Sequence, residues 1–337
     1  MAKGEKGMKN GKFEVGTVIK GKDLKGKILC KILSEDMKMR GFQYKIGLNE
    51  DVKPLSLTGN CETGLHFCFI KDIWCFLYFG SELAIVNVPD EEDIYVGEGK
   101  FRAHRLNIEQ TMPYAAVSTW EYLYKNVAKK SALSFFAIKY AIENGNLELV
   151  RYLHKNWIAI QNEDNYSVKY ASQCGHLEIV RYLHENGADI TADNNYAVRW
   201  AAENGHLEVV KYLYENGADI TADNNCAVIW ASRFGHLDVV KYLYENGADI
   251  TADDNYAVRL AAEEGHLEVV KYLYENGADI TANNNYAVIY AALHGHYEVM
   301  KYLYEKGGDF TDGYESVLKR AKEYGYADII EYLKLKR

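Results

Sequence analysis

The segment Ala201-Ala202-Glu203-Asn204-Gly205-His206-Leu207-Glu208-Val209-Val210 decides the fold, because related segments return along the chain every 30 residues. The motif Gly-His-Leu-Glu, or a variant or degenerate form of it, starts at seven glycines: Gly145, Gly175, Gly205, Gly235, Gly265, Gly295 and Gly325. The block Lys211–Ile220 returns unchanged at 241–250 and at 271–280. A repeat of constant length predicts supersecondary units that stack side by side. We count seven units over residues 131–337, preceded by a half-unit.

Each unit predicts two helices, as the copy at 194–223 shows. The first helix is expected over 196–203, because its alanines and Val198 share one stripe at helical spacing. Asn194 or Asn195 is the expected N-cap of this helix, since an asparagine side chain accepts hydrogen bonds from free helix amides. Gly205 tolerates the positive φ angle that ends the helix.

The second helix of the unit is expected over 207–215, with Leu207, Val210 and Leu213 buried. Residues 218–224 are expected to form a short extended return to the next unit. One unit cannot bury its apolar stripe alone, so neighbouring units must stack and share a continuous core.

These residues resemble the ankyrin repeat, a helix–loop–helix unit of typically about 33 residues. The likeness lies in the Ala-Ala-x-x-Gly-His-Leu-Glu-Val-Val motif that begins at Ala201 and in Gly217-Ala218-Asp219-Ile220. It implies a mostly α fold, an ankyrin-type helical solenoid of about seven 30-residue repeats. Each unit is three residues short at the place of the family's β-hairpin finger, which we expect to be clipped to a tight loop. The Thr-Pro-Leu-His motif of the family is replaced here by Tyr196-Ala197-Val198-Arg199.

The region before the repeats has a different residue pattern, which predicts a small α+β domain. Strands are expected at 12–20, 83–88, 94–96 and 101–106, and a short helix at 72–79. The resulting domain prediction is a flexible basic start at 1–11, a leader domain at 12–110, a capping half-repeat at 111–130 and a solenoid at 131–337. Gly64-Leu65-His66-Phe67-Cys68 and the Tyr-rich 30-residue repeat also resemble the paralogous ankyrin-repeat proteins of giant amoeba-infecting DNA viruses.

Charge is distributed unevenly along the chain. The formal net charge is −9. Residues 1–130 hold 20 Lys and Arg against 17 Asp and Glu, whereas residues 131–337 hold 19 against 31. The acidic repeats repel phosphate backbones, so we expect no nucleic-acid partner for them. The longest apolar run, at 73–79, is too short to cross a bilayer. Six unpaired-looking cysteines and a charged amino terminus predict a cytoplasmic, intracellular protein without a membrane partner.

No residue pattern outside the repeats predicts catalysis strongly, and we expect no enzyme activity, cofactor or metal. Gly16–Lys22 has the spacing of a phosphate-binding loop, but Asp23 replaces the hydroxyl residue that binds magnesium. His66 and Cys68, flanked by Cys61 and Cys75, provide only one closely spaced pair of zinc ligands. Gly64–Phe67 resembles a segment of ADP-ribosyltransferases without an assignable catalytic glutamate. The histidine of each repeat is expected to be structural.

Positions that differ between otherwise identical copies predict the partner-binding residues. One variable pair closes each first helix and a second variable column lies within it, and stacking aligns both along the concave side. In the ankyrin family these positions border the usual binding groove. The candidate residues are Lys169, Gln173, Arg199, Glu203, Asn204, Ile229, Arg233, Phe234, Arg259, Glu263, Glu264, Leu293 and His294. Arg233 and Phe234 are the best anchors, because arginine and aromatic residues are enriched at binding hot spots.

The preferred function is a non-enzymatic scaffold that binds a host or viral protein with a basic or mixed face. Drift on a solvated surface is the simpler explanation of the variable columns. Two functional alternatives also stay open. In one, the leader domain is an ADP-ribosyltransferase-like enzyme whose substrate the repeats recruit. In the other, the protein is a passive component of a viral particle. The sequence leaves the identity of the partner and the oligomeric state undetermined.

Overall fold

The computed structural model describes residues 8–9, 12–39, 41–51, 64–127, 129–157 and 165–335. The chain divides into two compact units, Met1–Ile158 and Ala159–Arg337, and each is described by itself. The predicted basic start at 1–11 lies outside the described residues except for Met8–Lys9. No helix in the described ranges is long and apolar enough to span a membrane.

The first unit is built on an antiparallel sheet of eight strands. The strands of the unit are β1 (Met8–Lys9), β2 (Lys12–Phe13), β3 (Val18–Lys20), β4 (Leu29–Leu33), β5 (Lys38–Met39), β6 (Phe42–Gln43), β7 (Gly47–Glu50), β8 (Leu65–Phe69), β9 (Glu82–Asn87), β10 (Asp93–Val96), β11 (Phe101–Ala103) and β12 (Arg105–Pro113). The large sheet has the order β3-β10-β11-β8-β4-β9-β12-β7. All five residues of β4 are buried, because this strand is central and covered on both faces.

The rest of the first unit consists of 3-10 turns and three helices. The turns span Gly21–Leu24, Ile70–Cys75 and Leu77–Phe79, and the helices are α1 (Val117–Asn126), α2 (Lys130–Glu143) and α3 (Leu147–Asn156). The helix expected at 72–79 is thus two separate 3-10 turns. Gly16–Lys22 contains β3 and the first residues of a 3-10 turn. An α-helix, whose N-terminus holds the phosphate in phosphate-binding loops, does not follow it.

The second unit is entirely helical over residues 165–335. Its helices are α4 (Tyr166–Gln173), α5 (Leu177–Glu185), α6 (Ala192–Glu203), α7 (Leu207–Glu215), α8 (Ala222–Arg233), α9 (Leu237–Glu245), α10 (Ala252–Glu263), α11 (Leu267–Glu275), α12 (Ala282–Leu293), α13 (Tyr297–Glu305), α14 (Tyr314–Tyr324) and α15 (Ala327–Leu335). With α2 and α3 of the first unit, the described residues hold seven helix pairs. The predicted fold class, a repeat solenoid preceded by an α+β domain, is confirmed.

The core of each repeat lies between the two helices of a pair and those of its neighbours. In the copy centred on Gly205, the stripe of Ala197, Val198, Ala201 and Ala202 is fully buried, as its spacing predicts. The second helix differs from the expectation, since Val209 is buried with Val210 and Leu213 while Leu207 is only half-buried. Alanine at the contact permits close approach of neighbouring first helices.

The link between repeats is a left-handed turn. Within the stated bounds of α6, α8, α10 and α12, three consecutive residues near the start of each helix have positive, non-helical φ angles, and they are Asp193–Asn195, Asp223–Asn225, Asp253–Asn255 and Asn283–Asn285. Only Asp and Asn occupy these twelve positions, because their short polar side chains tolerate this region better than other residues with a Cβ atom. The expected extended return at 218–224 is wrong, because Asp223 and Asn224 belong to this left-handed turn. The loop between α7 and α8 is nevertheless short, as the length of the repeat predicts.

The last asparagine of the turn binds the loop that follows the second helix. Asn195 Oδ1 accepts a hydrogen bond of 2.8 Å from the backbone N–H of Asp219. The same bond recurs at four other places in the second unit, for example from Asp249 N–H to Asn225 Oδ1. The expectation that Asn195 caps its own helix is wrong, because its oxygen is used across the repeat.

Candidate partner-binding surface

In four repeats the histidine packs against the glycine of the repeat before it, and these histidines are His206, His236, His266 and His296. A Cβ atom built on Gly205 would lie 2.5 Å from His236 Nδ1, and one on Gly175 would also meet the ring of His206. The rings form hydrogen bonds to backbone carbonyl oxygens, from His206 Nε2 to Gln173 at 2.8 Å and from His236 Nε2 to Glu203 at 3.0 Å. The Gly-His pair therefore joins consecutive repeats, which confirms that these histidines are structural.

This contact predicts that acid destabilises the repeats. Burial lowers the pKa of His206 and that of His296 below their ordinary value of 6.5. The unfolded chain therefore takes up protons first as the pH falls, so stability is full above about pH 6.5 and declines through the folded pKa values. We expect the urea midpoint of the wild type to fall between pH 7 and pH 5, and His206→Gln to reduce this slope. An equal midpoint at both pH values in the wild type would contradict the prediction.

The first helices of the second unit define its inner face. Neighbouring first helices, such as α6 and α8, pack more closely against each other than neighbouring second helices, such as α7 and α9. A stack that is tighter on one side curves toward that side. Side chains of the first helices that point away from the second helices are therefore brought together along the inner face.

The variable column within the first helices is largely covered. Lys169, Ile229 and Arg259 are buried, and Arg199 is only partly exposed. Lys169 pairs with Asp193, and Arg199 pairs with Asp223, which in both cases belongs to the left-handed turn of the next repeat. The cations thus neutralise carboxylates of the stack. This corrects the expectation for Lys169, Ile229 and Arg259, because a buried side chain has almost no surface for a partner.

The variable pairs that close the first helices are more accessible. Asn204, Phe234 and Glu264 are exposed. The half-buried members of these pairs are Gln173, Glu203, Arg233, Glu263, Leu293 and His294. Part of the His294 side chain is used within the stack, since its Nδ1 atom lies 3.0 Å from the Glu263 carbonyl oxygen.

Phe234 is the most exposed apolar side chain among these candidates, with 45% of its surface accessible. Its ring stacks on that of Trp230 at 6.2 Å. The guanidinium of Arg233 lies 5.3 Å from the Trp230 ring centroid, and its Nε atom donates to Glu264 Oε1 at 3.1 Å. The ion pair and the ring contacts hold Arg233 in place, so a preformed aromatic–arginine cluster lies at the carboxyl-terminal end of α8. We call Trp230, Arg233, Phe234 and Glu264 the Phe234 cluster.

A row of aromatic side chains runs along the same helices. Rings four residues apart contact each other in three repeats: Tyr166 stacks on Tyr170 and Tyr286 on Tyr290, whereas Tyr196 packs against Trp200 in a tilted arrangement. In α8 the first of these two rings is replaced by Cys226, four residues before Trp230. Burial raises the pKa of the Cys226 thiol, so the group is neutral at neutral pH. Sequence comparison of the copies shows this replacement but not the contacts around it.

Other candidate sites have weaker geometry. Cys68 of β8 faces Cys30 of β4, with the two Sγ atoms 3.9 Å apart and both side chains buried, and Cys75 is exposed on a 3-10 turn. Cys61 lies outside the described residues. Across the described ranges, no group of three or more His, Cys, Asp or Glu side chains is arranged to hold a metal ion.

A shallow groove also lies on the second helices. Its lining includes Arg181, His184, Glu208, Lys211 and Tyr212. Lys211 donates to Glu208 at 2.8 Å, and His184 Nδ1 lies 2.9 Å from the Tyr212 hydroxyl oxygen. Because these polar groups bind one another, the groove is a weaker candidate than the first-helix surface.

Comparison with known proteins agrees with this architecture. The family model described as ankyrin repeats (3 copies) matches residues 116–194, 191–254 and 255–336. A second model, a domain of unknown function (DUF7666), matches residues 27–119. An uncharacterized protein of Acanthamoeba polyphaga mimivirus is 31% identical over 135 residues, which cover 37% of this chain and 95% of that protein. The resemblance to ankyrin proteins of giant viruses is thereby confirmed.

Proposed function

This chain belongs to the ankyrin-repeat family, and on that premise we propose that it is a non-enzymatic scaffold that binds a protein partner along the inner face of its repeats. Ankyrin repeats support a role in protein–protein interaction. The exposed Phe234 cluster is the observation that carries the proposal. The binding surface we propose consists of the exposed or half-exposed ends of the first helices: Gln173, Glu203, Asn204, Arg233, Phe234, Glu263, Glu264, Leu293 and His294.

The chemistry of this surface indicates the class of partner. An exposed aromatic ring beside an arginine is typical of the residues that dominate binding energy. Glu264, which pairs with Arg233, and Glu263 add negative charge at the ends of the first helices. A partner with a basic or mixed face complements this charge, whereas a nucleic acid does not. We also propose that residues 12–110 form a leader domain and that residues 111–130 form a capping half-repeat. Neither segment is needed for the partner contact that we propose at Phe234.

The proposal predicts that the double substitution Arg233→Ala/Phe234→Ala removes a specific partner. Truncation of a hot-spot residue typically costs about 2 kcal/mol or more of binding free energy, so retention should fall more than tenfold. The test is affinity purification of the wild-type and variant chains from infected host cells, with quantitative mass spectrometry. The matched control is Lys241→Ala, an exposed position on a second helix. An identical partner profile for wild type and double variant would reject the surface.

A further inference from the structure

The contacts of Tyr286 show which side chains of the first helices can hold a tyrosine. The Tyr286 hydroxyl donates to Glu263 Oε2 at 2.6 Å. The ring stacks on Tyr290 with centroids 3.7 Å apart and nearly parallel planes. The guanidinium of Arg259 lies 5.3 Å from the centroid of the Tyr286 ring. One carboxylate, one aromatic ring and one guanidinium therefore hold this side chain.

The same three groups recur 60 residues earlier without the tyrosine. Arg199, Glu203 and Trp230 occupy the repeat positions of Arg259, Glu263 and Tyr290. The repeat position of Tyr286 is taken by Cys226, whose thiol contacts the side chains of Arg199 and Trp230. A cysteine side chain ends at its Sγ atom, so it cannot stack on Trp230 or reach Glu203 as a phenol does. The Glu203 carboxylate forms no hydrogen bond within the described part of the chain.

The other copies do not repeat this combination. The carboxylate position is held by Gln173 in the environment of Tyr196 and by Arg233 in that of Tyr256. The combination of Arg, Glu and an aromatic residue therefore occurs at Tyr286 and at Cys226, among the first helices from α6 to α12. In the first case the chain supplies the tyrosine itself.

We infer that Arg199, Glu203 and Trp230 form a receptor site for a tyrosine side chain of the partner protein. This inference rests on the proposed function and specifies one anchor of the partner. The incoming ring stacks on Trp230 and packs against Arg199, and its hydroxyl donates to Glu203, as in the contacts of Tyr286. The Phe234 cluster shares Trp230 with this site, so a tyrosine anchor and the contact at Phe234 belong to one continuous surface.

The substitution Cys226→Tyr tests the site with little risk to the fold. Four first helices of the second unit carry tyrosine at this position, so the variant restores the repeat pattern: Tyr166, Tyr196, Tyr256 and Tyr286. We expect it to fold like the wild type and to fill the receptor site with its own ring. Its urea midpoint, equal to or above that of the wild type, verifies that any loss of binding is not a loss of folding.

The probe is N-acetyl-L-tyrosinamide, titrated into the full-length chain. Binding is followed by saturation-transfer NMR of the probe and by the indole N–H resonance of Trp230, assigned with Trp230→Phe. We expect saturable binding with a Kd on the order of millimolar, as for other small fragments. N-acetyl-L-phenylalaninamide, which lacks the hydroxyl, should bind at least fivefold more weakly, and Glu203→Gln should reduce the preference for the tyrosine probe. In Cys226→Tyr the Trp230 response should disappear.

A transfer experiment provides the matched control. The double variant Cys226→Tyr/Tyr286→Cys fills the site at Trp230 with a tyrosine of the chain. It also empties the equivalent site, which consists of Arg259, Glu263 and Tyr290. Binding of the tyrosine probe should return in saturation-transfer NMR, although Trp230 no longer responds. Equal binding of the probe to wild type and Cys226→Tyr, or no discrimination between the two probes, would overturn the inference.

The two proposals fail in different ways. If Arg233→Ala/Phe234→Ala loses a cellular partner that Cys226→Tyr retains, the tyrosine site is rejected and the scaffold proposal stands. If the tyrosine probe binds at Trp230 but no partner depends on Arg233 and Phe234, the receptor site stands and the proposed function is rejected.

Discussion

Replacing Gly205 by alanine is expected to lower the free energy of unfolding by about 2–5 kcal/mol, because two penalties act at one position. Gly205 has a φ angle of +77°, and a left-handed conformation costs an L-residue about 1–2 kcal/mol. The new Cβ atom would also lie 2.5 Å from His236 Nδ1. Overpacking of this kind adds about 1–3 kcal/mol, since the half-buried ring is held by its hydrogen bond to Glu203.

The last repeat offers a control with the same backbone conformation. Gly325 has a φ angle of +76°, and a Cβ atom built on it meets nothing within 4 Å. Gly325→Ala should therefore cost only the conformational part, about 1–2 kcal/mol. Urea denaturation followed by far-UV circular dichroism measures both variants. In Gly205→Ala/His236→Ala the steric part should be relieved, so strict additivity of the two single substitutions would show that the contact is not the cause.

Replacing Trp120 by alanine is the second large effect, expected at about 3–5 kcal/mol in the first unit. Trp120 is fully buried in α1, with its ring centroid 5.2 Å from that of Tyr114 and 5.9 Å from that of Phe136. Its Nε1–H donates to the Tyr114 carbonyl oxygen at 2.6 Å. Alanine leaves a cavity among these rings and an unpaired buried carbonyl.

A phenylalanine at the same position separates the two causes. Trp120→Phe keeps most of the ring contacts but lacks the N–H donor, so we expect a loss of about 1–3 kcal/mol, the cost of one unsatisfied buried polar group. Chemical denaturation monitored by near-UV circular dichroism reports the environment of these aromatic rings. A loss below 1 kcal/mol for Trp120→Ala would mean that the cluster repacks without a cavity.

The partner-binding surface could be predicted only in part. Comparison of the copies located the variable ends of the first helices, and Phe234 is exposed as that comparison expects. It failed for Lys169 and Arg259, since sequence spacing does not reveal that a charged side chain is covered by the next repeat. The receptor site at Cys226 was missed for the same reason. The sequence shows a cysteine where other copies have tyrosine, but this replacement indicates a site only once the contacts of Tyr286 are known.

The repeat architecture follows from the sequence alone, because a period of 30 residues with apolar stripes at helical spacing leaves stacking as the way to bury those stripes. The Asp and Asn residues between the helices could have been caps or turns, and both uses fit their chemistry. The tertiary structure decided for the left-handed turn, since the partner of Asn195 is the backbone of Asp219, which lies 24 residues away. Contacts between distant residues depend on the exact geometry with which the copies stack, and the local periodicity of the sequence does not specify that geometry.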